Sequence, residues 1–122
     1  MTPDQLLENF KTQQAQVAEE IRKLDPNHMI VYEGNKCSTD LSILSKYDNL
    51  LDKNGCYSFH LYTWYGLKMN KELPKFMDNS HITNRPVFCG EWGINKTTAI
   101  KEQVYLMNAE KDMDGWIIYL WK

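Results

Sequence analysis

The sequence predicts an α/β fold, half of a (β/α)8 TIM barrel in which about four parallel strands alternate with helices as a single domain over residues 1–122. Three observations predict it. Apolar runs of strand length recur at 28–33, 56–62, 86–89 and 116–121, each bounded by turn-forming residues. Strands that are apolar on nearly every residue and separated by helical segments belong to a parallel sheet covered by helices. The runs also finish alike: Glu33, His60, Tyr62, Glu91 and Trp121 stand at their C-terminal ends. With crossovers of one hand, such ends meet on a single face.

Each element has a local reason. Thr2 is a helix N-cap, Pro3 fits the first helical position and Gln5 completes a capping box. Leu6, Phe10, Val17, Ile21 and Leu24 then recur at helical spacing as one buried face, and Pro26 ends the helix near Leu24. His28 to Glu33 is the first strand. Ser38 to Asn54 is polar with scattered leucines, a loop carrying a short helix, and Asn54-Gly55 is a turn. Cys56 to Tyr62 is the second strand, whose alternation sets Phe59 and Leu61 on one face and Ser58, His60 and Tyr62 on the other. An aromatic loop follows at Thr63-Trp64-Tyr65-Gly66. Leu73, Phe76 and Met77 suggest a short helix with Pro74 in its first turn. Pro86 to Cys89 is the third strand, leading into Gly90-Glu91-Trp92-Gly93, where two glycines bracket one carboxylate. Thr97 or Thr98 caps a helix with Ile100, Val104 and Met107 as its stripe. Trp116 to Trp121 is the fourth strand.

Composition narrows the function. A net charge of −2 argues against a nucleic-acid binder, which shows a basic excess. No run of about eighteen apolar residues is present, so no membrane-spanning segment is expected. Residues 1–5 lack the basic and apolar regions of a signal peptide. Three cysteines, Cys37, Cys56 and Cys89, contain no C-x-x-C, so neither a metal nor a cofactor is expected. Cys89 reads as a small buried residue, and pairing of Cys37 with Cys56 stays open. Four tryptophans and seven tyrosines are many for this length, and several stand where strands end.

Several stretches together resemble glycoside hydrolase family 5, the cellulase and mannanase family of retaining β-glycosidases. Pro86-Val87-Phe88-Cys89-Gly90-Glu91-Trp92-Gly93 is similar to its nucleophile strand. His60-Leu61-Tyr62 is similar to the His-x-Tyr of its sixth strand, and Gly115-Trp116-Ile117-Ile118-Tyr119-Leu120-Trp121 to its eighth. Ile21 to His28 resembles the passage from helix to strand before the fifth. The resemblance covers essentially all 122 residues in order, and it implies strands five to eight of the barrel. It implies Glu91 as nucleophile, Tyr62 as the residue that orients it, and His60 as a neighbour that positions substrate. Trp121 would stack on a sugar ring, and Trp64 and Trp92 are candidate subsite platforms. The family's acid/base stands in an Asn-Glu-Pro motif, which this sequence lacks. The acid/base is therefore not expected in this chain. Glu33 is the other carboxylate at a strand end, and the resemblance gives it no acid/base role; Glu33 and Asn35 are expected to hold the rim together.

The expected activity is that of the C-terminal half of an endo-β-glycosidase acting on β-1,4-linked polysaccharide, inactive or very weak alone. The alternatives are a non-catalytic carbohydrate-binding half-barrel and a folding module without activity. A half-barrel exposes sheet edges and an apolar inner face. The expected partners are therefore a β-linked oligo- or polysaccharide and either a second copy of the chain or an N-terminal half-barrel. The family is commonly secreted, which leaves the location open.

Overall fold

A computed structural model describes residues 1–62, 68–93, 100, 101, 104, 108, 110, 111 and 113–118. The four strands form one sheet in the order β1 (Ile30–Glu33), β2 (Gly55–Tyr62), β3 (Val87–Gly93) and β4 (Trp116–Ile118). Every neighbouring pair is parallel. This is half of a (β/α)8 barrel: sequential strands lie side by side, and the helices between them carry the chain back.

One face of the sheet packs on the helices. Tyr32, Tyr57, Phe59, Leu61, Val87, Cys89 and Trp92 are buried there. From the helical side α5 (Met69–Thr83) supplies Leu73, Phe76 and Met77, and Phe76 stacks on Phe59 with ring centroids 4.1 Å apart. The pattern of this helix is weak in sequence because polar residues and an internal Pro74 interrupt its few apolar positions. It runs fifteen residues and ends at Asn84, whose left-handed φ of 55° makes a C-cap. Pro74 is the sixth residue of α5 rather than part of its first turn.

The first helical segment starts as expected. Thr2 Oγ1 accepts from the Gln5 N–H at 3.2 Å, and the Gln5 side chain accepts from the Thr2 N–H at 2.8 Å. Its buried face departs from the simple stripe. Between α1 (Pro3–Phe10) and α2 (Gln16–Leu24) lies a π-turn, Lys11–Ala15. A π-turn holds more residues than an α-turn and shifts the phase of everything after it. Phe10 and Ala18 therefore point inward, while Val17, Ile21 and Leu24 are exposed.

The segment after β1 is more ordered than a loop. It contains α3 (Asn35–Ser38), α4 (Ser42–Lys46) and a 3-10 turn at Asp48–Leu50. In α3 three consecutive residues, Lys36, Cys37 and Ser38, have φ of 53°, 55° and 58°. Left-handed backbone costs about 1–2 kcal/mol per non-glycine residue. The turn is tied down on both sides: Ser38 Oγ accepts from the Gly34 N–H at 3.0 Å and donates to the Ser58 carbonyl at 2.6 Å. Gly34 has no substitute here, since a methyl group on it would lie 2.1 Å from the Asp40 carbonyl oxygen. Cys37 is exposed, Cys56 and Cys89 are buried, and all three are free thiols.

The edge where the strands begin is closed by arginines. Arg22 makes two bonds to the Asp52 carboxylate, at 2.9 and 3.0 Å. Arg85 is buried and donates to the Asp48 carboxylate and to the carbonyls of Asp48, Leu51, Asp52 and Gly55. Its guanidinium also lies over the Tyr57 ring. A planar donor fork suits such a ring of acceptors. Among the described residues Ile100, Lys101, Val104 and Asn108 are helical, and Ile100 and Val104 pack on the core. The cap expected at Thr97 or Thr98, and Met107, lie outside the described residues. No helix of the described residues is long and apolar enough to cross a membrane.

Candidate active site

At the opposite edge, where the strands end, the side chains are polar and partly open. β2 alternates as expected. Tyr57, Phe59 and Leu61 enter the core, and Ser58, His60 and Tyr62 lie on the inner face. β1 pairs Glu33 with Ser58, which puts Glu33 on that same inner face.

β3 brings Glu91 there by an irregularity. Phe59 pairs with Cys89, but the next residue, His60, pairs with Glu91. Gly90 is the extra residue of a β-bulge, uncommon between parallel strands. Strict alternation from Val87 and Cys89, both buried toward the helices, would also send Glu91 into the core. The bulge reverses the phase. Glu91 turns to the inner face beside His60, and Trp92 turns inward to the helices beside Leu61. The glycine is needed because its Cα lies against β2: a methyl group at Gly90 would sit 2.1 Å from Ser58 Oγ.

The result is a chain of contacts across three strands. Tyr62 donates its hydroxyl to Glu91 Oε2 at 2.6 Å. His60 Nδ1 lies 3.7 Å from the same oxygen. On its other side, His60 Nε2 meets Glu33 Oε1 at 2.9 Å. The His60 side chain is only 11% exposed, whereas those of Glu91 and Glu33 are 40% and 51% exposed. An imidazole is thus held between two carboxylates that both reach solvent. Such a group offers a carboxylate whose Oε2 is oriented by a tyrosine hydroxyl. That is the equipment of nucleophilic or general-base chemistry.

The other aromatic candidates divide. Trp64 and Trp121 lie outside the described residues. Trp92 is fully buried and meets Trp116 edge-on, with ring centroids 5.5 Å apart. Its indole Nε1 has no hydrogen-bond partner among the described residues. Packed on the helical side, Trp92 presents no ring face to a sugar, because the Gly90 bulge turns it away from the face that holds Glu91. No group of three or more potential metal ligands occurs among the described residues.

The pairing of Glu33 with His60 was not foreseen. Its signal was faint: both stand at strand ends, but the register that makes them neighbours is not written in either strand. The bulge had a better signal, a glycine beside a carboxylate in a strand whose alternation would otherwise bury that acid.

No curated protein matches the chain. The family model described as cellulase (glycosyl hydrolase family 5) matches residues 3–122. The match takes in all four parallel strands and the whole of the Glu33–His60–Tyr62–Glu91 cluster, and the chain belongs to glycoside hydrolase family 5.

Proposed function

We propose that this chain carries the nucleophile half of a retaining endo-β-glycosidase site for β-1,4-linked polysaccharide. Glu91 is the nucleophile, Tyr62 aims it, and His60 positions substrate beside it. Trp64 and Trp121 are the candidate sugar platforms. The observation that carries this reading is the 2.6 Å hydrogen bond from Tyr62 to a Glu91 turned to the inner face by the bulge. A retaining enzyme needs a second carboxyl group about 5 Å from the nucleophile, first as acid and then as base. The sequence has no Asn-Glu-Pro, and Glu33 is engaged by His60. The acid/base therefore comes from outside these 122 residues, and the chain alone is inactive or very weak on polysaccharide. Val31 and Ile117, 48% and 58% exposed, leave apolar surface on the sheet beside the site. The partner that completes the site, an N-terminal half-barrel or a second copy of the chain, also covers that surface.

An activated substrate tests the nucleophile without needing the acid. In 2,4-dinitrophenyl 2-deoxy-2-fluoro-β-cellobioside the leaving group departs as an anion. A Glu91 oxygen bonds to the anomeric carbon, the bond to dinitrophenolate breaks, and the fluoroglycosyl ester accumulates. The expected result is one added fluoroglycosyl group on the peptide containing Glu91, absent in Glu91→Ala. Labelling of another residue, or labelling that survives Glu91→Ala, would overturn the assignment. Saturable oligosaccharide binding with no labelling would identify a non-catalytic sugar-binding half-barrel instead.

A further inference from the structure

Glu33 takes no part in the reaction as described, yet the fold holds it firmly. It ends β1 in register with Ser58, and the left-handed turn that follows is bonded through Ser38 to the Ser58 carbonyl. A carboxylate held this way against His60 has a definite chemical effect. An ionised carboxylate only accepts hydrogen bonds, so the 2.9 Å contact with His60 Nε2 requires the proton on Nε2. A neutral imidazole has one N–H. Once it is committed to Glu33, Nδ1 is a bare lone pair. The 3.7 Å from Nδ1 to Glu91 Oε2 is too long for a hydrogen bond, which fits that state.

Resting on the reading of Glu91 as nucleophile, we propose that Glu33 is a positioning residue that holds the His60 proton on Nε2, away from Glu91. Among the described residues, the charged or titratable groups facing the ring are Glu33 from β1, Glu91 from β3 and Tyr62 from its own strand. Without Glu33 the strongest acceptor left is Glu91. The ring proton then moves to Nδ1, the ring closes on Glu91, and a charge-assisted hydrogen bond forms to the nucleophile. A carboxylate that shares its charge with a second donor attacks more slowly. Glu33 thus leaves Oε2 to the Tyr62 hydroxyl and keeps the negative charge available for the anomeric carbon.

The test is the protonation site of the His60 ring, read from its ring 15N shifts in the 122-residue chain with the imidazole neutral. The expected state in the unaltered chain is Nε2–H. In Glu33→Ala the ratio of Nδ1–H to Nε2–H rises by at least about tenfold, the low end of what a hydrogen bond to a charged group supplies. Glu33→Gln restores Nε2–H, because its amide oxygen still accepts. The rate at which the fluoroglycoside labels Glu91 falls about tenfold in Glu33→Ala and recovers in Glu33→Gln, following the tautomer. Glu33 is half exposed, so both variants keep the fold. A role confined to stability would shift the unfolding midpoint and leave the tautomer alone. Nδ1–H in the unaltered chain, or a tautomer indifferent to Glu33→Ala, would overturn the proposal. A tautomer that shifts as expected in a chain that never labels would overturn the nucleophile assignment instead.

Discussion

Gly90 is where the geometry makes its most exposed prediction. Replacing it with alanine puts a methyl carbon 2.1 Å from Ser58 Oγ, more than an ångström inside ordinary contact. Ser58 is 1% exposed, so its hydroxyl has no solvent to swing into, and its carbonyl is held by Ser38. Relief must come from moving β3 off β2 at the bulge. Overpacking of this kind costs about 1–3 kcal/mol. The structure also names the cure. With Ser58→Ala the nearest remaining atom is the Ser58 Cβ, 3.4 Å from the new methyl, which is tolerable. Urea unfolding of the unaltered chain, Gly90→Ala, Ser58→Ala and the double variant gives the coupling directly. The expected coupling is about 1–3 kcal/mol of rescue, with the denaturant slope unchanged. A Gly90→Ala protein within about 0.5 kcal/mol of the unaltered chain, or a double variant no better than Gly90→Ala alone, would refute the reading of Gly90 as the residue that fits the bulge against β2.

Two further outcomes follow from the charges and thiols. The hydrogen bonds from Arg22, and then the Asn54 N–H, hold the Asp52 carboxyl below its ordinary range despite partial burial. A depressed folded-state value contributes stability that is present above the unfolded value near 3.8 and lost as pH falls through and below it. In urea titrations Asp52→Asn should therefore be less stable than the unaltered chain at neutral pH, and the gap should close in acid; a gap independent of pH would refute the linkage. Burial raises the Cys56 thiol and pushes Cys89 up to about 12, while Cys37 is exposed. A thiol reagent should therefore modify one cysteine of the native chain quickly, and Cys37→Ser should abolish that reaction; a second fast thiol would show that the sheet opens.

Much of the fold was legible because most of its elements obey a simple period. β2 alternates without interruption, so the inner placement of His60 and Tyr62 follows from spacing alone. What was not legible sits where the period breaks. The π-turn at Lys11–Ala15 shifts the buried face from Val17 to Ala18, and no residue type announces it. The bulge at Gly90 moves Glu91 and Trp92 to opposite faces from those a regular strand would give them, which is why Trp92 packs against Trp116 rather than waiting for a sugar. The turn at Lys36, Cys37 and Ser38 is left-handed without a glycine in it. Residue preference points away from such a turn; it is held by the bonds of Ser38 to Gly34 and Ser58 and by the paired backbone bonds between Asn35 and Asp40. Glu33 therefore looked like an ordinary rim acid in sequence.

The two ends of the sheet use charge in opposite ways, and this bears on how the chain could serve as half of an enzyme. Where the strands begin, Arg22 and Arg85 direct their donors to Asp48, Asp52 and neighbouring carbonyls, so these two guanidinium groups are engaged within the fold. Where the strands end, β1, β2 and β3 deliver four groups by three devices: a pinned left-handed turn behind Glu33, plain alternation for His60 and Tyr62, and a bulge for Glu91. All three devices lie within residues 30–93, and β4 adds its own pairing to β3 on either side of the bulge. In parallel strands the register fixes the relative height of these groups, so the Tyr62–Glu91 bond and the Glu33–His60 bond form with the sheet itself. Under the proposed reading of Glu91 as nucleophile, a carboxylate preorganised in this way needs little further ordering when the remainder of the site arrives. In that proposed reading, what completes the site supplies a second carboxyl group about 5 Å from Glu91 and an apolar cover for Val31 and Ile117, which are exposed. Reactivity toward a substrate with a self-sufficient leaving group can accordingly precede activity on polysaccharide.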